Sequence, residues 1–309
     1  MDLKQLEAFV AACEEDSFSA AAGRRGVTQS TLSGRIADLE KSVGAQLFDR
    51  SVRPVRITRA GEVLLRHARV ALRELDSAVS EIKQLDGELT GKLRLGLIEV
   101  AGLSAPNLER ALAAFHARHR YVELVISDPS SRGIVEGVQK GQLDMGVVGY
   151  RRSYVPPSLG HFLIADREVV ALVASTHPLA QKEQVTLAQL AETGPSVELR
   201  EGTGVRLELD MAFARAGVVR SIGVEVATTA EALRYAAFGF GYALVPDSAL
   251  FGRRPGRSVS VLKLARDRIC HPIAVIYEQP QPASPAATEL LAWLRSTCVP
   301  PGLSDQQSR

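Results

Sequence analysis

Within eight residues the chain places Thr28, Gln29, Ser30, Thr31, Ser33 and Arg35. Short donors and acceptors of this kind hydrogen-bond base edges and phosphate oxygens. Their small size, together with Gly34, lets a helix approach a groove closely. Arg50, Arg53 and Arg56 follow around Pro54, long cations suited to phosphates and the minor groove. A second set of polar groups is acidic and lies far downstream: Glu99, Asp128 and Glu198. Catalytic spacing is absent. There is no Gly-x-Ser-x-Gly, no His-Glu-x-x-His and no phosphate loop. His67, His116, His119, His161 and His177 show no ligand spacing, and Cys270 beside His271 reads as a structural pair rather than a metal or redox site. Neither an enzyme nor a bound metal or cofactor is expected.

The polar cluster needs a scaffold, and the first 58 residues supply one. Asp2 and Gln5 have capping-box spacing ahead of a helix with Leu3, Leu6, Phe9, Val10 and Cys13 on one face. Ser17 or Ser19 caps a second helix, Phe18 to Arg25, which Gly26 ends. Thr28 caps a third, where Leu32, Ile36, Leu39 and Val43 face inward and Gly44 stops the run. This is the helix-turn-helix layout. Val52 to Ile57 alternates as a short hairpin with Pro54 near its tip. From Ser17 to Ala60 eight basic residues (Arg24, Arg25, Arg35, Lys41, Arg50, Arg53, Arg56, Arg59) face three acidic ones (Asp38, Glu40, Asp49). The whole chain of 309 residues has a net charge of only +2, so the charge is local and oriented toward a polyanion.

These residues resemble the N-terminal domain of LysR-type transcriptional regulators. The resemblance is carried by Phe18-Ser19-Ala20-Ala21-Ala22, by Val27 through Glu40, by Gly44 through Arg50 and by Ile57-Thr58-Arg59-Ala60-Gly61. It implies that Gln29, Ser30, Ser33 and Arg35 face the major groove, that Thr31 touches phosphate, and that Arg50 and Arg53 serve a wing. Ser19, Thr28 and Arg56 complete the expected DNA-binding set. The family often carries a polar or basic residue where this chain has Gly34, so one base contact is missing from the implied set.

After Thr58 comes a long amphipathic helix. Leu64, Ala68, Ala71, Leu75, Ala78, Ile82, Leu85 and Leu89 are spaced alternately four and three residues apart, an a/d seam for pairing with a second chain. Leu65, Leu72 and Val79 widen it, and Asp86-Gly87 marks the stop. Beyond it, strand and helix patterns alternate from Lys92 to Tyr277 and close with a helix from Pro285 to Cys298. The fold class expected is α/β: a winged helix-turn-helix (1–58), a linker and dimerisation helix (59–90), and a two-lobed α/β effector-binding domain (91–300). Lobe I would take about 91–161 and 268–300, lobe II about 162–267, and 301–309 a disordered tail. The second domain resembles the effector-binding half of the same family, itself similar to a periplasmic binding protein, on Gly141 to Val147, Gly202-Thr203-Gly204 and Gly239 to Pro246.

Ligands in open α/β sheets lie beyond the carboxyl ends of strands, near helix N-termini. That rule selects Glu99, Val100, Ala101, Asp128, Pro129, Glu198, Gly202, Thr203, Gly204, Thr228 and Thr229 for effector binding. With Glu99, Asp128 and Glu198 set against Arg200 and Arg206, a cationic or amino-bearing ligand is expected. Met145 and Phe240 read as core residues.

The N-terminus has no secretory pattern and three cysteines suit a reducing compartment, so a cytoplasmic protein with no membrane span is expected. The reading is a ligand-responsive transcription factor. Its partners would be double-stranded DNA with an interrupted palindrome, a small-molecule effector and RNA polymerase. It would be a homo-oligomer: a dimer through the long helix and, by resemblance, a tetramer. An enzyme with an appended DNA-binding module and a solute-binding receptor are the rival readings.

Overall fold

A computed structural model describes residues 1–15, 17–52, 54–85, 88–250, 258–266, 268–280, 282 and 284–299, and the side chains of residues 83–85 fall outside it. The expectations for Arg53, for Leu85 as a seam side chain, for the stop at Asp86-Gly87 and for the 301–309 tail lie outside these residues. The chain divides into two compact units, one built mainly on Met1–Gly91 and one mainly on Lys92–Gln139 with Leu143–Pro282.

In the first unit, α1 (Leu3–Glu14) begins at Asp2, whose carboxylate accepts from the Gln5 N–H at 2.9 Å while Gln5 returns a bond to the Asp2 N–H. α2 (Phe18–Arg24) is capped by Ser17, whose Oγ accepts from the Ala20 N–H. Ser19 is thereby free for another role. Gly26, at φ 63°, makes the turn to α3 (Gln29–Val43), which Thr28 caps and Gly44 ends at φ 74°. Leu32, Ile36 and Leu39 are fully buried against Phe9, Ala21 and Phe48. Val43, expected inside, is exposed because the three helices have already closed the core one turn earlier.

The wing is shorter and earlier than its alternation implied. β1 (Phe48–Asp49) pairs antiparallel with β2 (Arg56–Ile57). Phe48 anchors it, edge-on to the rings of Phe9 and Phe18. α4 (Arg59–Leu85) starts at Thr58, whose Oγ1 accepts from the Gly61 N–H and donates to the Gln46 carbonyl. Gly61 is required there: a Cβ would lie 2.4 Å from the Leu47 carbonyl oxygen.

The heptad seam on α4 divides in two. Leu64 and Ala68 pack into the core of their own unit, and Ala68 is 2% exposed. Ala71, Leu75, Ala78 and Ile82 are exposed, Leu75 by 51% and Ile82 by 64%. Leu89 belongs to neither part, since it lies outside the helix just before β3, and it is buried.

The second unit takes β3 (Thr90–Leu97), α5 (Ala101–Ser104), α6 (Pro106–Arg118), β4 (Tyr121–Ser127), α7 (Ser131–Gln139) and β5 (Met145–Val148) as its first half. The long strand β6 (Leu159–Ala174) leads to β7 (Gln184–Val185), α8 (Leu187–Glu192), β8 (Ser196–Leu199), α9 (Gly204–Ala216), β9 (Ile222–Val226), α10 (Thr229–Ala237), β10 (Tyr242–Pro246) and β11 (Val259–Leu264). β12 (Cys270–Glu278) returns, and α11 (Pro285–Cys298) closes the unit.

The strand order is β4-β3-β5-β12-β6-β10-β8-β9, with β11 and β7 to one side. β3 and β5 pair in parallel, as do β10, β8 and β9, whereas β12 and β6 pair antiparallel with each other and with their outer neighbours. The sheet is therefore mixed, where the βαβ pattern alone implied parallel pairing. Two parallel halves are joined through the crossing strands β6 and β12, which is how a cleft between lobes is built. β6 runs unbroken through the lobe boundary expected at 161/162. Met145 is buried as expected, but Phe240 is 51% exposed, stacked edge-on against Tyr235.

Candidate functional site

On the first unit, Gln29, Ser30 and Thr31 are exposed on the opening turn of α3, with Ser33 and Arg35 half-buried one turn on. Thr28 organises this turn. Its Oγ1 accepts from the Thr31 N–H and lies 2.9 Å from Ser30 Oγ and 2.8 Å from Thr31 Oγ1. Ser19 Oγ donates to Gln29 Oε1 at 2.8 Å, so the Gln29 amide is pre-positioned with its N–H donors free to turn outward. Nothing lies within 4 Å of where a Gly34 side chain would begin, which leaves the outer face of α3 low and open.

The positive charge of this unit is smaller than a count of its arginines implies. Arg24 pairs with Glu14 and Glu15, Arg25 with Glu7, and Arg50 with Glu40 at 3.1 Å. These pairs fasten helices and wing to one another. Arg50 is half exposed all the same and keeps donors for a phosphate. Among the described residues Arg35 and Arg59 have no ion pair, and Arg56 is exposed on β2 opposite Asp49. Asp49 is held below the usual carboxylate range by hydrogen bonds from the Ser51 hydroxyl and N–H, with Arg56 adding a smaller pull.

In the second unit a cavity of ≈ 450 Å³, counting its mouth, opens between the two halves of the sheet. Glu99, Val100, Asp128, Pro129, Thr203, Gly204 and Thr229 line it, with Ile98, Ser130, Ser131, Leu199, Arg200, Val205, Ala227 and His271. Ala101, Glu198, Gly202 and Thr228, also expected there, do not. Thr228 caps α10, its Oγ1 accepting from the Glu231 N–H. Gly202 bridges the halves from behind, its carbonyl accepting from the Arg132 N–H at 3.2 Å and the Tyr150 hydroxyl at 3.1 Å. Ala101 is buried at the start of α5.

Glu198 is the clearest correction. It is 3% exposed and points away from the cavity to Arg220, Arg206 at 3.1 Å and the Ser196 hydroxyl at 2.8 Å. Burial pulls the Arg220 guanidinium down, but its bonds to Glu198 and Asp210 outweigh that and hold it more basic than usual. A four-residue strand sends alternate side chains to opposite faces, and Glu198 takes the face that meets Arg220. Glu99 does reach the cavity, but its carboxylate already accepts from the Thr229 N–H at 2.9 Å and the Thr229 hydroxyl at 3.0 Å. Asp128 stands exposed. The cavity thus lacks the pair of free acids on which an amino-bearing ligand was expected.

His271 is the lining residue that sequence reasoning passed over. It is 1% exposed on β12, and neither ring nitrogen has a hydrogen-bond partner. Burial, with Arg151 nearby, holds its pKa down at about 3, so the ring is neutral. The Ser130-Ser131 start of α7 and Ala227 were also passed over. The short turn after β4 could have flagged the serines, whereas nothing local to residue 271 signals an unpaired imidazole. Among the described residues no group of three or more acids, histidines or cysteines is placed to hold a metal, and no helix is long and apolar enough to cross a membrane.

Two family models match this chain. The bacterial regulatory helix-turn-helix protein, lysR family, covers residues 3–62, and the LysR substrate binding domain covers residues 86–299. The chain belongs to the LysR family of transcriptional regulators. It is 30% identical over 292 residues to the HTH-type transcriptional regulator YnfL of Escherichia coli (strain K12), spanning 93% of this chain and 95% of the relative. It is similar to the crystal structure of full-length CbnR complexed with its target DNA, with a TM-score of 0.66, 22% identity and coverage of 96% of this chain and 99% of that one. The effector binding domain of QuiR in complex with shikimate matches with a TM-score of 0.59 and 19% identity, over 67% of this chain and 97% of that domain. At these identities the two structures attest to the fold. As a LysR regulator the chain joins a DNA-binding helix-turn-helix to an effector-binding α/β domain, and its relatives are regulators rather than enzymes.

Proposed function

We propose that this LysR regulator acts in the cytoplasm as a homo-oligomer that binds an interrupted palindrome, with an effector in the cavity between the halves of the second unit changing its grip on DNA or its action on RNA polymerase. The observation that carries the dimer is the divided seam of α4. Ala71, Leu75, Ala78 and Ile82 form an apolar stripe exposed over three turns, on a helix whose earlier turns are already committed to their own core. Burying each Leu or Ile of such a stripe against a second copy contributes about 1.5–3 kcal/mol. A two-fold pair of recognition helices then meets two half-sites. A tetramer follows from the family resemblance, by further contacts of the second domains.

In this reading residues 1–58 bind DNA, 59–90 pair the chains and 91–300 bind the effector. Gln29, Ser30, Ser33 and Arg35 read bases, while Ser19, Thr28, Thr31, Arg50, Arg53 and Arg56 position the domain on phosphates. A gel shift and footprint of the full chain on DNA upstream of its own gene test this. The expected result is protection of two related half-sites, with affinity falling steeply with salt, about 0.9 log unit per log unit for each phosphate neutralised. Binding that shows no preference among sequences would overturn it.

A further inference from the structure

This inference rests on the cavity being the effector site. His271 forms part of the cavity floor with a donor and an acceptor that no protein group satisfies. A buried polar group left unpaired costs roughly 1–3 kcal/mol, so a residue with a purely structural role here would be better served by an aliphatic side chain. The fold instead makes room for the ring. A Cβ on Gly149 would lie 2.1 Å from His271 Cε1, and only a glycine at that position accommodates the imidazole. Gly204, at the start of α9, lies against the same residue, where its own Cβ would be 2.0 Å from the Gly149 carbonyl oxygen. The floor and the N-terminus of α9 are therefore adjacent.

The chemistry of the walls narrows the occupant. A neutral imidazole offers one N–H and one lone pair, which a hydroxyl satisfies because it both accepts and donates. Arg151, fixed by Glu208 at 3.1 Å and by the Cys270 carbonyl at 3.2 Å, bears on His271 electrostatically and disfavours a cation. α9 is 13 residues long, and the N–H groups of Gly204 and Val205 in its first turn have no acceptor among the described residues. Arg200 stands exposed on the same wall. An anionic group is favoured there. The competing N-terminus, that of α10, is already filled by Glu99.

We propose that His271 sets the specificity of this cavity by pairing with an uncharged hydroxyl, and that the effector is a small hydroxylated carboxylate rather than an amine. The test uses the full chain, by calorimetry and thermal shift, with shikimate, quinate and 4-hydroxybenzoate as probes. Cyclohex-1-ene-1-carboxylate, cyclohexanecarboxylate and benzoate are the hydroxyl-free partners, and tyramine is the amine. At least one hydroxy acid should bind at least about tenfold more tightly than its partner. His271→Leu should erase that preference while leaving the melting temperature without ligand unchanged or raised, a result that a merely structural histidine would not give. Equal binding of the hydroxyl-free acids, binding of tyramine alone, or no binding by any hydroxy acid would overturn the proposal. Ala227→Trp, which fills the cavity from its exposed rim, separates the two readings. If it abolishes binding and His271→Leu does not, the cavity stands and the role of His271 falls. If neither change affects a bound probe, the cavity itself has been misassigned.

Discussion

The Glu99 carboxylate caps α10 from the opposite half of the effector domain, accepting from the Thr229 N–H at 2.9 Å and the Thr229 hydroxyl at 3.0 Å. Glu99 follows β3 in the first half, whereas Thr229 opens a helix of the second. The bond therefore ties the halves together across the cavity mouth. It also places a resident negative charge on a helix N-terminus that would otherwise attract an anion.

Removing this tie should loosen the closed arrangement more than the fold. For Glu99→Ala the expected loss is about 1 kcal/mol, since the carboxylate is exposed and partly screened. Hydrogen exchange at the Thr229 amide should quicken by roughly an order of magnitude, while amides on the central strands β6 and β12 keep their rates. Unchanged exchange at Thr229 would show that the tie carries no weight.

Glu198 should behave in the opposite way, as a structural residue with no direct part in ligand binding. Replacing it with Ala leaves Arg220 and Arg206, whose side chains are 9% and 11% exposed, without their buried carboxylate and with only the more exposed Asp210 in common. Breaking a buried pair by removing one partner costs about 3–5 kcal/mol. Urea unfolding of Glu198→Ala should show a loss of that order. A loss below about 1 kcal/mol would mean that the arginines find solvent or another acid.

His271 makes the stability of the protein depend on pH in a known direction. Its folded pKa of about 3 lies below the ordinary histidine value of 6.5, so the unfolded chain takes up a proton that the folded chain refuses. The contribution is constant above about pH 6.5 and is lost progressively as pH falls toward 3, at about 1.4 kcal/mol per unit. Between pH 7.5 and 5 the wild-type protein should lose about 2 kcal/mol more than His271→Leu. Parallel pH profiles for the two proteins would contradict this.

On DNA, Gln29 and Arg56 should separate base reading from phosphate contact. Gln29→Ala is expected to cost about 1–3 kcal/mol on the preferred operator and to relax preference at one base pair. Arg56→Ala should weaken all sequences alike and lower the salt slope by about one. Fluorescence anisotropy on an operator and its single-base variants, at several salt concentrations, distinguishes the two patterns.

The helix-turn-helix was legible because local chemistry dictates it. Asp2, Ser17 and Thr28 are caps, Gly26 and Gly44 adopt left-handed backbone, and Leu32, Ile36 and Leu39 keep one period. The first wing strand escaped because two residues carry no period, and Phe48 is fixed by distant rings rather than by its neighbours. In β6 only the apolar run Val169 to Val173 carries a strand signal, since the earlier part contains Asp166, Arg167 and Glu168 and alternates weakly. The cleft acids were placed by strand ends alone. What decides Glu198 is Arg220, 22 residues later in a loop, and what distinguishes His271 is the lack of any partner. Neither is a local property of the sequence.

Operator recognition depends on α4 joining two chains so that two α3 helices meet one operator. The most direct measurement is sedimentation of the full chain, with and without a labelled operator duplex, for the wild type and for Leu75→Glu with Ile82→Glu. The wild type should sediment as a dimer or a multiple of it and bind two half-sites. The double variant should be a folded monomer whose operator affinity is lower by about a hundredfold or more. If the double variant remained a dimer and bound the operator with wild-type affinity, the exposed stripe would not be the pairing surface and the account would fail.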